Sequence, residues 1–194
     1  MRGNLVKSFV VGLMFLSMIV LNAEAEQSEQ ISLSSAVSLQ NFEPENGTED
    51  EYFLNIWETE PDFATDIVHS GSRSLEIEAI NEAGGTVGIK VASEDGYVDL
   101  SNGKKISIWV YDAAEGNNTI QIRLKDTEGN GGSGEDGNFL WSSKKTKKDA
   151  WTQIKWDLKK YPKVEDLDLT QISSIEIYVP VEGTYYLDDV ELME

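Results

Sequence analysis

KISIWVYDAAEGNNTIQIRLK, residues Lys105 to Lys125, decides how the rest of this chain is read. Ile106, Ile108 and Val110 occupy alternate positions, and so do Ile120, Ile122 and Leu124. A repeat of two is that of a strand with one face on a core, whereas a helix repeats at about 3.6. Between the two runs stand Gly116, Asn117 and Asn118, residues that turn a chain.

Leu75, Ile77 and Ala79 alternate in the same way, as do Ile175, Ile177 and Val179. The pattern predicts strands at Ala36–Phe42, Ser74–Ile80, Thr86–Ala92, Lys105–Asp112, Thr119–Lys125, Phe139–Ser142, Trp151–Leu158, Ile172–Val179 and Tyr185–Leu192. Shorter strands are expected at Tyr52–Trp57 and Ile67–His69. No stretch holds a helical period over three turns. Many short strands without helices predict an all-β protein, a β-sandwich (jelly roll) of two antiparallel sheets.

The 194 residues suit one domain, expected over 34–194. The first 25 residues have the form of a secretory signal peptide. Arg2 and Lys7 precede the uncharged run Phe9–Leu21, and Ala23-Glu24-Ala25 has the small-x-small form of a cleavage site. The run is short for a membrane span, which disfavours the competing reading, an uncleaved N-terminal anchor. Cleavage after Ala25 predicts a secreted or periplasmic protein with no integral membrane association, and residues 26–33 read as a flexible N-terminus. The absence of cysteine excludes disulfides, thiol catalysis and cysteine-ligated metals. A net charge of −19 disfavours nucleic acid as a partner, and abundant carboxylates suit divalent cations.

An ordered set of segments carries a resemblance. Asn41-Phe42-Glu43 opens the set at the first strand, and His69-Ser70-Gly71-Ser72-Arg73-Ser74-Leu75 leads another. Lys105–Tyr111, Ala150–Ile154 and Trp156-Asp157-Leu158 follow, and Tyr185–Leu192 ends the domain. In this order they resemble the carbohydrate-binding modules of the galactose-binding-like β-jelly-roll type, over nearly all of the chain after the leader. The resemblance implies a saccharide site on the concave sheet face or its edge loops. It also implies a structural calcium ion tying the N-terminal strand to the last one.

Calcium takes six to eight oxygens at about 2.3–2.6 Å, and a jelly roll brings its ends onto neighbouring strands. Glu43 and Asp188 are then placed to share the ion, with Ser72 and Arg73 of the turn completing its shell. Asp188 is chosen over Asp189 on the family pattern, because adjacent strand residues point to opposite faces. Asp189 is expected to face water. The competing reading makes both acids edge-strand charges that discourage aggregation. Asp126–Gly131 opens like an EF-hand loop, but its twelfth position is Gly137, so it is read as a loop between strands.

A saccharide needs a flat aromatic platform with planar polar groups around it. If the strands at 105–112, 119–125 and 172–179 share a sheet, Tyr111, Gln121, Arg123, Glu176 and Tyr178 form one such surface. Trp57 and Trp141, beside loops, are candidate stacking walls. Plain solvated sheet residues are the competing reading for Gln121 and Arg123. Trp109, Trp151 and Trp156 are read as core. Lys144-Lys145-Thr146-Lys147-Lys148 is read as a solvated loop, with an acidic polymer as a lesser idea.

No nucleophile, phosphate-loop or zinc motif is present, and His69 is the single histidine. No catalytic residues are assigned. The functional expectation is a secreted, monomeric, non-catalytic module that binds a polysaccharide or oligosaccharide. The alternatives are a surface or adhesive scaffold for a protein partner, and a small glycan-cleaving enzyme using two carboxylates.

Overall fold

Eleven strands build the domain in this computed structural model, which describes residues 36–44, 53–102, 105–131, 139–142, 144–161 and 166–193. They are β1 (Val37–Gln40), β2 (Phe53–Trp57), β3 (Thr59–Ala64), β4 (Ser74–Ala79), β5 (Gly85–Lys90), β6 (Lys105–Asp112), β7 (Gln121–Asp126), β8 (Leu140–Trp141), β9 (Trp151–Asp157), β10 (Ile172–Val179) and β11 (Gly183–Met193). The leader read at 1–25 and the stretch 26–33 lie outside the described residues. Among the described residues, no helix is long and apolar enough to cross a membrane.

The strands form two antiparallel sheets. The first runs β3-β4-β11-β6-β9, with β1 also paired to β11; the second runs β2-β5-β10-β7-β8. The inward rows expected from the sequence meet between them. Leu75, Ile77, Ile106, Ile108 and Leu187 of the first sheet share one buried cluster with Val87, Ile122, Leu124, Ile175 and Ile177 of the second. Burying an aliphatic side chain stabilises by about 1.5–3 kcal/mol, which is why strict alternation is kept on these strands. The architecture is the β-sandwich that the alternation predicts.

Several local expectations are corrected. β3 was not anticipated, because Thr59-Glu60-Pro61-Asp62-Phe63-Ala64 is polar and contains a proline. As an edge strand of the first sheet, β3 tolerates a residue with no N–H to donate. Ile67–His69 forms no strand and belongs to the turn before β4. Of the tryptophans read as core, Trp156 is buried, and its indole N–H donates to the Ile120 carbonyl at 3.3 Å. Trp109 and Trp151 are half-buried on the outer face of the first sheet instead. Both alternate with the inward residues Ile108, Val110 and Ile154.

Strand β11 changes partner midway. Gly183–Leu187 pairs with β4, while Val190, Glu191 and Leu192 pair with β1. Asp188 and Asp189 stand at that seam, where the register with β6 also slips and Asp189 adopts φ 47°. β11 is interior to the sheet, so the edge-charge explanation of the two acids does not hold.

Candidate functional site

The register of the second sheet places residues from all five of its strands in one row. Trp57 of β2 lies opposite Thr86 of β5, Thr86 opposite Tyr178 of β10, Tyr178 opposite Gln121 of β7, and Gln121 opposite Trp141 of β8. Directly paired residues share a face. Since Val87, Ile122 and Ile177 beside this row are buried in the core, the row lies on the outer side of the sheet. Trp57 is 51% exposed. Tyr178 is half-buried, and its hydroxyl donates to the Ala83 carbonyl at 2.5 Å.

A second row runs Gly88, Glu176, Arg123. Glu176 is 1% exposed and Arg123 8%. Both the Nε and Nη2 of Arg123 bond the same Glu176 oxygen. The guanidinium carbon stands 4.7 Å from the centre of the Phe139 ring, which in turn lies 5.9 Å from the ring of Tyr178. Nη1 is buried and has no hydrogen-bond partner among the described residues. Gln121 and Arg123 are therefore not ordinary solvated sheet residues; they form a buried polar floor. The floor's edge is closed by Tyr161, whose hydroxyl accepts the Leu124 N–H at 2.7 Å beyond the end of β8. Burial pushes the Tyr161 phenol up to about 12. A third row, Lys90, Ser174, Lys125, completes the face.

Six of the seven residues predicted for the saccharide site thus hold positions in adjacent rows of one sheet: Trp57, Gln121, Arg123, Trp141, Glu176 and Tyr178. Tyr111 is a correction. It lies on β6, in the first sheet, opposite Tyr186 and Trp151. Alternation placed Tyr111 on an outer face correctly but could not say of which sheet. Sequence reasoning passed over Phe139, Thr86 and Lys90. The alternation of Val87 and Ile89 already signalled an outward Lys90, whereas nothing in the sequence marked Phe139 as a cover for Arg123.

The predicted metal residues meet at the seam, around the turn His69–Arg73. Asp188, fully buried, accepts the backbone N–H groups of His69 at 3.0 Å and Ser70 at 3.1 Å. Its other oxygen accepts the N–H of Asp189 at 2.8 Å. Burial pushes its carboxyl up to about 6; the Ser70 N–H opposes this and the Asp189 charge adds to it. Asp189 was expected to face water. It bonds His69 Nδ1 and the Ser70 hydroxyl, both at 2.7 Å, because the bulge turns it back over the same turn. His69 stacks on Trp109 with ring centres 3.9 Å apart.

On the far side of the turn, Glu43 accepts the Ser72 hydroxyl at 2.6 Å and its N–H at 2.7 Å, and these bonds hold its carboxyl below the usual range. Gly71 has φ +68°, and a Cβ there would lie 1.9 Å from a Glu43 oxygen, so this position requires glycine. Arg73 donates to the Phe42 carbonyl. Glu43, Asp188 and the Ser72 hydroxyl are hard oxygens and fit calcium in kind, but in this arrangement the two carboxylates accept N–H and O–H donors and the Ser72 hydroxyl itself donates to Glu43. Among the described residues, no group of three or more His, Cys, Asp or Glu side chains converges as a metal site.

At the loop that opens like an EF-hand, the Asp126 carboxylate accepts the N–H groups of Glu128, Asn130 and Asp168. Burial raises its pKa, but these bonds outweigh burial and leave it below the ordinary range. Asp126 thus organises the turn through its hydrogen bonds.

The same fold occurs in solved carbohydrate-binding modules. The family 11 module of Clostridium thermocellum, in complex with a β-1,3-1,4-mixed-linked tetrasaccharide, superposes with a TM-score of 0.54 at 20% identity, over 84% of this chain and 97% of that one. The CBM22-1–GH10 modules of endo-1,4-β-D-xylanase 10B from the same organism, complexed with xylohexaose, give a TM-score of 0.54 at 14% identity, over 84% of this chain and 29% of that one. An agarase, AgWH50C, gives 0.53 at 14% identity, over 82% of this chain and 24% of that one. At these identities the likeness is one of fold. No protein-family model matches the chain, and no curated protein matches its sequence.

Proposed function

We propose that this protein is a secreted, non-catalytic carbohydrate-binding module whose saccharide lies across the outer face of the β2-β5-β10-β7-β8 sheet. One observation carries the reading: the row Trp57, Thr86, Tyr178, Gln121, Trp141, spanning the sheet from edge to edge. Trp57 and Tyr178 in it offer π faces to the C–H side of sugar rings, and the amide of Gln121 offers hydrogen bonds to hydroxyls. Arg123 and Glu176 fix the floor beneath them. Support also comes from the fold shared with modules solved in complex with a mixed-linked tetrasaccharide and with xylohexaose. Among the described outward positions of β5, β7 and β10, Glu176 is the one carboxylate, and it is engaged with Arg123, so these positions offer no carboxylate pair of the kind that glycoside hydrolysis uses.

Affinity electrophoresis and calorimetry against a polysaccharide panel test the reading. Binding that is lost in Trp57→Ala, with folding intact, is the expected result. Failure to bind any glycan refutes it.

A calcium ion at the β1–β11 seam is the second part of the proposal. It is supported by the two carboxylates reaching one turn from opposite ends of the domain. Glu43 and Asp188 would hold it, with oxygens of Ser72 and Arg73. Chelation should then lower the melting temperature and calcium restore it by mass action. An unchanged melting temperature would leave the hydrogen-bonded turn as what closes the seam.

A further inference from the structure

We infer that the outer face of the first sheet is a docking surface for an extended basic protein segment, with Lys or Arg at alternate positions. This face lies on the other side of the sandwich from the proposed saccharide face and does not depend on it. One row crosses the sheet from β3 to β9. Asp62 lies opposite Glu76 of β4, Glu76 opposite Tyr186 of β11, Tyr186 opposite Tyr111 of β6, and Tyr111 opposite Trp151 of β9. Leu75, Ile77, Val110 and Leu187 beside the row belong to the core, so the row points outward.

Its aromatic half indicates the chemistry of the ligand. The rings of Tyr111 and Trp151 meet at 67° with centres 5.7 Å apart, and those of Tyr111 and Tyr186 at 79° and 5.8 Å. Rings set nearly perpendicular form corners, not the flat platform on which successive sugars stack. A corner of π faces beside a carboxylate suits an ammonium or guanidinium group.

The acidic half supplies the complementary charge. Asp62 faces Glu76 across β3 and β4, and two residues along the same strands Glu60 faces Glu78. Like charges directly opposite one another weaken a sheet, so two such pairs in succession work against the fold. None of the four acids forms an ion pair among the described residues. Burial first, then Asp62, Asp66 and Glu78, hold the Glu76 carboxyl above its ordinary value, and a cation set among these charges would offset their part. Spacing favours a peptide. The two acid pairs stand about 7 Å apart along the strands, and an extended chain repeats the side chains of one side at that interval. At the β9 edge Lys144 donates to the Gln153 carbonyl, so basic groups border the far end of the row and direct the partner's cations to β3 and β4.

The test is NMR titration of the isotope-labelled full chain with blocked octapeptides of alternating Lys-Thr, Arg-Thr and Glu-Thr, and with partly deacetylated chitosan. The two basic peptides should shift the amides of β3, β4 and Tyr186, and the acidic peptide should not. Their affinity should fall at least about tenfold between low salt and about 1 M salt, where the screening length shrinks to about 3 Å. The double variant Asp62→Asn/Glu76→Gln removes two charges and keeps side-chain size. It should bind the basic peptides about tenfold more weakly and melt no lower than the parent, since it relieves a repulsion. Glu94→Gln/Asp95→Asn, at exposed positions outside the row, removes the same charge and should bind as the parent does. An equal loss in both double variants would reduce the effect to the net charge of −19 and overturn the inference. Basic peptides that leave β3 and β4 unshifted would overturn it as well. So would chitosan binding there in preference to the peptides, which would make the occupant an amino-sugar polymer.

Discussion

Arg123 and Glu176 face each other across β7 and β10, and two guanidinium nitrogens bond one carboxylate oxygen beneath the outer face of the second sheet. Both side chains are buried, so the pair is an ion pair in the floor of the candidate site. Breaking such a pair from one side costs more than removing it whole, because an uncompensated charge is left behind.

Glu176→Gln should therefore destabilise the protein by about 3–5 kcal/mol. Replacing both members with well-packed apolar residues should recover most of that loss. Urea unfolding of the two single variants and the double variant measures the coupling, and additive effects would argue against it.

Trp57, half-exposed at the end of β2, should be separable from stability. Trp57→Ala is expected to change the unfolding free energy by less than about 0.5 kcal/mol while abolishing saccharide retention. Tyr111→Ala is the control. It alters the first sheet, where Tyr111 packs edge-on against Trp151 and Tyr186, and should leave retention unchanged.

At the seam, Asp188→Ala would orphan the N–H groups of His69 and Ser70. An unmet buried donor costs about 1–3 kcal/mol. Hydrogen exchange read by NMR should show both amides losing protection, with β7 and β10 unaffected. Retained protection at His69 and Ser70 would show that the turn is held by other contacts.

Glu76 predicts a pH dependence. Burial first, then the charges of Asp62, Asp66 and Glu78, raise its carboxyl above the ordinary value. Asp62 is its direct partner across β3 and β4. A raised carboxyl binds its proton more readily folded than unfolded. Its favourable contribution is complete below the ordinary carboxyl value and lost as pH rises through the raised one. Glu76→Gln should thus be more stable than the parent protein at neutral pH, and the difference should shrink both on acidification and in high salt. Thermal melts at two pH values and two salt concentrations check the sign.

Much of the site could be read before any strand was paired. The faces of β6, β7 and β10 followed from Ile106, Ile122 and Ile177 with their neighbours, and so did the outward positions of Gln121, Arg123, Glu176 and Tyr178. The depth of that surface was not legible. Arg123 is buried because Glu176 lies opposite and Phe139 above it, and neither contact is local in sequence. β3 escaped notice because Pro61 argues against a strand everywhere except at an edge, and edges exist only once a sheet is assembled.

By itself, the order of residues determined the strands whose apolar positions alternate, and which side of each is apolar, since alternation acts between near neighbours along the chain. Only the tertiary structure decided which strands lie side by side. That choice placed Tyr111 in one sheet and Tyr178 in the other, and it set Asp188 and Asp189 where β11 exchanges β4 for β1. Strand pairing is made by hydrogen bonds and core packing between distant segments, and no local pattern encodes the partner.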